Sequence, residues 1–297
     1  MILGRLAFGI TPGEIDIQYF NSLGGSNNAR LNNFLDIQLN GGADPKVDQK
    51  IQEAGVYQTI NMTVQEEWNT YLVNAQTNGT SRPSNEQRSL KYLRGVYSNY
   101  PLRERLADFW HNHFSIYAEK VVCRGTFSSW DREAIRGNMT GNFREMIEDT
   151  TKHVAMVYYL DNIDNTVFEP NENFARELLE LHTMGAENYA GVIDQGDVPT
   201  ITVEDRGGPF GSDGVIQSKF VENDVFEATR CLTGWRAGAG GFNYADNKHD
   251  RFQKSVLKGG FTNIPANQGV QDGYDLLDLA AFHPGTVKHI ARKLIVF

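Results

Sequence analysis

The chain has 297 residues, with 28 Lys and Arg against 37 Asp and Glu, a formal charge of −9. Hydrophobic residues at 40% and charged residues at 22% exclude a disordered chain and allow a substantial core. The acidic balance counts against a general nucleic-acid binder, which needs a basic surface, and no apolar run is long enough for a membrane span.

Met1-Ile2-Leu3-Gly4-Arg5 is too short for a signal peptide, which leaves export open. Thr11-Pro12-Gly13-Glu14 reads as a helix start, with Ile15, Tyr19 and Leu23 following at spacing four. Leu31, Phe34, Leu35 and Leu39 predict a second short helix. A polar helical stretch is expected over 46–76, and another helix over 85–97. Pro101 to Phe114 is helical from a favourable proline. Phe143 to Leu160 is expected as one strong helix. Glu172 to Met184 is the next, with Gly185 placed as its C-terminal cap.

The character changes over 191–218, which holds six Gly and two Pro together with the β-like Thr200-Ile201-Thr202-Val203. This is expected to be an inserted loop or hairpin. Helix resumes from Val221 to Thr233, Gly238 to Lys248 reads as loop, and Asp272–Phe282 and Val287–Leu294 are helices split by His283-Pro284-Gly285. The fold class is mostly α: an irregular multi-helix bundle with long loops and at most a small β-hairpin, one helical domain over 1–297. Ala291 to Phe297 stops in mid-pattern, so truncation at the C-terminus is expected. Cys123 and Cys231 match no metal-knuckle spacing and are expected as buried free thiols.

Helix geometry singles out the histidines. At 100° per residue, His113 falls on the buried arc with Leu102, Leu106, Phe109, Trp110 and Phe114, while His111 lies about 200° away, near Glu104 and Asp108. His153 and His182 also fall on apolar arcs of their helices. Three inward imidazoles each need partners for two ring nitrogens. The opposite side of the third helix carries Glu172, Arg176 and Glu180 at i, i+4, i+8, with Asn173 and Glu177 beside them. Such a ladder is either a solvated face or the lining of a cleft.

Phe109-Trp110-His111-Asn112-His113-Phe114 resembles the FWHNHF signature of the bacterial DUF1800 family. So does the block from Pro170 to Gly185, with Asn173-Phe174-Ala175-Arg176-Glu177-Leu178-Leu179-Glu180-Leu181-His182 at its centre. Arg5-Leu6-Ala7-Phe8-Gly9, Ala228-Thr229-Arg230-Cys231-Leu232-Thr233-Gly234-Trp235, His249-Asp250 with Lys254, and His283-Pro284 with Ala291-Arg292-Lys293-Leu294 complete the order. The family has no settled activity. The resemblance implies export to the periplasm or outside the cell, a sulfatase-like companion protein, and a chain that runs on beyond its Ala-Arg-Lys-Leu motif.

Two functions stay open at this point. The first is an exported, metal-assisted hydrolase with a His/Glu site between helices. There Glu177 serves as general base, with His182 beside it and Arg176 holding an anionic group. Trp110, Asn171, Asn173, His249 and Asp250 would bind substrate. His113, Glu172 and His182 would hold a divalent metal such as Zn, Mn or Fe, since imidazole and carboxylate suit those ions. His153, Glu180 and His283 are assigned structural roles. The second is a non-enzymatic helical scaffold or envelope-associated binding protein, in which buried Arg–Glu pairs specify packing. No nucleophile elbow, dinucleotide fingerprint or phosphate loop is present.

Overall fold

The computed structural model describes residues 15–75, 79–203, 209–210, 214–260 and 263–297. The Thr11–Glu14 helix start and the Arg5–Gly9 motif lie outside them. Helices α1 (Ile15–Ser22) and α2 (Asn27–Leu39) are separated at Gly24 and Gly25, both at positive φ, and Ser26 caps α2 by accepting from the Ala29 N–H at 3.3 Å. The expected helix over 46–76 is two. α3 (Pro45–Ala54) ends at Gly55 in the left-handed region, and α4 (Val64–Glu67) restarts on a Thr63/Glu66 capping box before running on as π-helical turns over Trp68–Val73.

α5 (Arg82–Tyr97) and α6 (Pro101–Phe114) follow. Next come α7 (Val121–Gly125) and α8 (Phe127–Ser129), the latter continuing as π-helical turns over Trp130–Arg136. Sequence periodicity did not assign this stretch. The expected helix over 143–160 is broken into α9 (Phe143–Lys152) and α10 (Val154–Tyr159). At the break His153 is extended, and its Nδ1 accepts from the Ala155 N–H at 3.1 Å, so the imidazole caps α10. The expected helix over 172–184 is α11 (Asn173–Glu177) passing into π-helical turns at Leu178–His182. A π turn holds more residues than an α turn. Side-chain directions computed at 100° per residue therefore drift beyond Glu177.

β1 (Thr200–Thr202) pairs antiparallel with β2 (Val215–Gln217) inside the 191–218 insertion. α12 (Glu222–Cys231) is followed by a second hairpin, β3 (Trp235–Gly238) with β4 (Gly241–Tyr244), where the sequence suggested loop. α13 (Gln271–Phe282) and α14 (Pro284–Val296) follow. His283 breaks them: its Nδ1 accepts from the Gly285 N–H at 3.0 Å, and its Nε2 donates to the Gln217 carbonyl at 2.9 Å.

The result is a predominantly helical, irregular bundle with two small hairpins. Its core runs through Phe114, Trp130, Phe174, Phe220 and Trp235, each under 2% exposed; burying each such side chain stabilises by about 2–3 kcal/mol. α9 packs on α13, α11 on α12, and α6 on the π turns that follow both α8 and α11. Cys123 and Cys231 are buried and free, and burial pushes the Cys123 thiol up to about 12. Among the described residues no helix is long and apolar enough to cross a membrane.

Candidate functional site

The Glu172–Arg176–Glu180 ladder meets protein. Arg176 donates to Glu222 on α12 at 2.6 Å, to Glu172 at 3.0 Å and to Glu180 at 3.4 Å, and the Tyr189 hydroxyl donates to Glu222 at 2.6 Å. Burial and the neighbouring Glu180 raise the Glu177 carboxyl. Among the described residues Glu177 hydrogen-bonds to no histidine. The proposed base and its imidazole are therefore not brought together: His182 is buried, as its apolar arc predicts, and Glu177 is only half-buried.

His113 and His182 do approach, with ring centroids 6.2 Å apart. His113 Nε2 donates to the His182 carbonyl at 3.0 Å, and its Nδ1 accepts from Lys293 Nζ at 2.8 Å. Those partners require the neutral ring. Burial, Lys293 and His182 all hold it well below the usual imidazole range. Burial, then Lys293, pushes His182 down to about 3. Glu172 stays on the surface, 56% exposed and paired with Arg176. The expected His113–Glu172–His182 metal set is thus not assembled, and no group of three such donors exists among the described residues. His153 packs elsewhere, edge-on to Trp130 at 5.4 Å.

The expected substrate-binding residues are spent on packing. Trp110 is buried, with its indole N–H donating to the Met139 carbonyl at 3.0 Å. Asn171 accepts from the Asn173 N–H at 3.1 Å, and Asn173 donates to the Leu160 carbonyl at 3.2 Å. Asp250 accepts from Arg230 at 2.9 and 3.0 Å. His249 is sealed in the interior: Nδ1 donates to the Thr233 carbonyl at 2.8 Å, and Nε2 lies 3.0 Å from Asp272 Oδ2. Lys254, also fully buried, donates to Asp272 and to the Asp250 and Phe252 carbonyls.

Open space lies instead on either side of α6. One cleft, of about 280 Å³, runs between α5, α6 and the turns after α8 and is lined by Arg88, Lys91, Arg94, His111, Asp131 and Arg136. His111 Nε2 is 2.9 Å from Asp131 Oδ1, and its ring stacks on Phe127 at 5.8 Å. Asp131 also accepts from Arg94 at 3.2 Å and from Arg136 Nε at 2.9 Å, while Arg136 reaches Glu104 at 3.0 and 2.7 Å. Burial opposes the charge on Asp131, but Arg136, His111 and Arg94 outweigh it and hold its carboxyl far below the usual range. An ionised carboxylate only accepts, so His111 donates through Nε2, and in the neutral ring Nδ1 then carries the lone pair. The ring is 25% exposed, and Nδ1 has no hydrogen-bond partner among the described residues. A base held by a carboxylate, with its other nitrogen free, can take a proton.

The second opening is a groove of about 750 Å³ between α6 and α14, lined by Phe109, Asn112, His113, His289, Arg292 and Lys293. Thus the two imidazoles of one hexapeptide serve different openings. The profile of the protein of unknown function DUF1800 matches residues 1–297. The chain belongs to the DUF1800 family. No curated protein and no solved structure matches it. In this DUF1800 chain the sequence reading left His111 without a role. Its position opposite the apolar arc, beside Glu104, was the available signal. Asp131 and Arg136 gave none, because their turns are π-helical. His289 was missed for want of a visible partner; it meets Glu187 at 3.1 Å across a gap of 102 residues.

Proposed function

We propose that this DUF1800 protein is a hydrolase working by acid–base chemistry in the His111 cleft. The observation that carries the reading is the His111–Asp131 hydrogen bond at 2.9 Å, in an open polar cleft, with Nδ1 unpartnered among the described residues. In this reading His111 Nδ1 takes a proton from an attacking water, and Asp131 holds the ring in place and stabilises the imidazolium that forms. Arg94 and Arg136 keep Asp131 ionised. Arg88 and Lys91, paired with Glu119 and Asp108, line the approach with charge and favour a polar substrate. Metal assistance is not part of the proposal, since Glu172 pairs with Arg176, both ring nitrogens of His113 have partners, and His182 lies in a set that brings no three such donors together among the described residues. Export and a sulfatase-like companion belong to the proposal on the family resemblance alone.

The scaffold reading draws support from one observation, the closure of the Arg176 face against Glu222 and Tyr189. A panel of p-nitrophenyl carboxylic, phosphate and sulfate esters separates the two readings. The hydrolase turns over at least one of them, and H111N lowers kcat by about 10²–10⁴ without loss of fold. No turnover of any ester, or H111N equal to the wild type, returns the scaffold reading.

A further inference from the structure

We propose that the groove between α6 and α14 binds a small organic oxyanion, with Lys293 and Arg292 as its cationic contacts. This site lies on the opposite side of α6 from the His111 cleft and does not depend on the hydrolase reading. A volume of about 750 Å³ accommodates a small molecule.

Two cations there make no ion pair among the described residues. Lys293 is only partly exposed, yet among the described residues its single hydrogen bond goes to the neutral His113 ring, and no carboxylate stands within ion-pair distance. A partly desolvated ammonium beside a neutral imidazole gains from an incoming anion. Consistent with this, burial lowers Lys293, with Glu187 only partly offsetting it. Arg292, on the rim, makes no hydrogen bond or ion pair among the described residues, and its planar fork matches a carboxylate or phosphate. His289 Nε2 is buried with no partner, its ring 6.3 Å from His113.

The acid in the groove, Glu187, already accepts from His289 Nδ1 at 3.1 Å. With Nδ1 donating to that carboxylate, the neutral ring presents a lone pair at Nε2, so the anion's partners are the two cations. Phe109, Val296 and Phe297 supply apolar walls, so the ligand's body is apolar and its head is an oxyanion.

The test is calorimetric titration of the whole chain with phenyl phosphate and with inorganic phosphate, followed by NMR of the histidine ring protons. Phenyl phosphate binds saturably and more tightly than inorganic phosphate, and shifts His289. R292Q, a rim substitution that spares the fold, weakens it by about tenfold, and K293Q does the same. Equal affinity for the two phosphates overturns the apolar-body assignment. No saturable binding, or binding that R292Q and K293Q leave unchanged, overturns the site.

Discussion

His111 Nε2 and Asp131 Oδ1 lie 2.9 Å apart and join α6 to the π-helical turns after α8. Asp131 is 4% exposed and also holds Arg94 of α5 and Arg136 of its own turn. The carboxylate that orients the imidazole therefore also ties three segments together. Function and stability are coupled at this residue, and substitutions there act on both.

Asp131→Asn leaves Arg94 and Arg136 buried without their shared anion. The expected loss is about 3 kcal/mol of unfolding free energy, measured by urea denaturation at neutral pH. The folded carboxyl titrates below its unfolded value of about 3.9. Its contribution is thus fully present above about pH 4 and is lost as the pH falls further. The gap between wild type and D131N should stay constant from pH 7 to about 5 and narrow below 4.

His153 gives a dependence of the same sign in a higher pH window. Burial, then Arg132, pushes its ring down to about 3, whereas the unfolded ring titrates near 6.5. The unfolded chain takes up this proton first, so stability falls as the pH drops from about 6.5 toward 3. Asn caps a helix well and does not titrate. H153N should be less stable than wild type at pH 7, through lost packing on Trp130. It should gain on wild type by about 3 kcal/mol by pH 4. Parallel pH profiles in denaturant would show that His153 is not held neutral.

Gly185 stands at φ +88, and a Cβ there would sit 2.3 Å from His289 Nδ1 and 2.6 Å from Glu187 Oε2. Gly185→Ala combines left-handed strain with a clash. The expected cost is about 2–3 kcal/mol, with loss of the His289–Glu187 bond seen in the His289 ring shifts.

Lys254 and Asp272 are both fully buried, and Asp272 Oδ1 has no partner. Removing one charge strands the other. Lys254→Met should cost about 3–5 kcal/mol, and Lys254→Met with Asp272→Leu should recover much of it. Additive losses in this cycle would show that the pair is not coupled.

The fold was legible where local signals agree with tertiary packing. Pro101 starts α6 and the His283-Pro284 pair separates α13 from α14 where the sequence suggests. The imidazole arithmetic held for α6, which is a regular helix. His153 and His182 are buried as it predicts, but it did not show that His153 caps α10 or that π turns follow Glu177. The Asp131–His111 pairing was hidden because the turns that carry Asp131 are π-helical, and the second hairpin because Trp235–Tyr244 is short and rich in glycine. Lys293 and His289 carried no local mark: their partners His113 and Glu187 come from 180 and 102 residues away.

The most direct test is the tautomer of His111, read from long-range ¹H–¹⁵N couplings of the imidazole rings near pH 7.5, with H111N used to assign the signal. A general base held by Asp131 must carry its proton on Nε2 and leave Nδ1 unprotonated, with Asp131→Asn weakening that preference. A His111 ring protonated on Nδ1, or one whose tautomer ignores Asp131→Asn, would contradict the account.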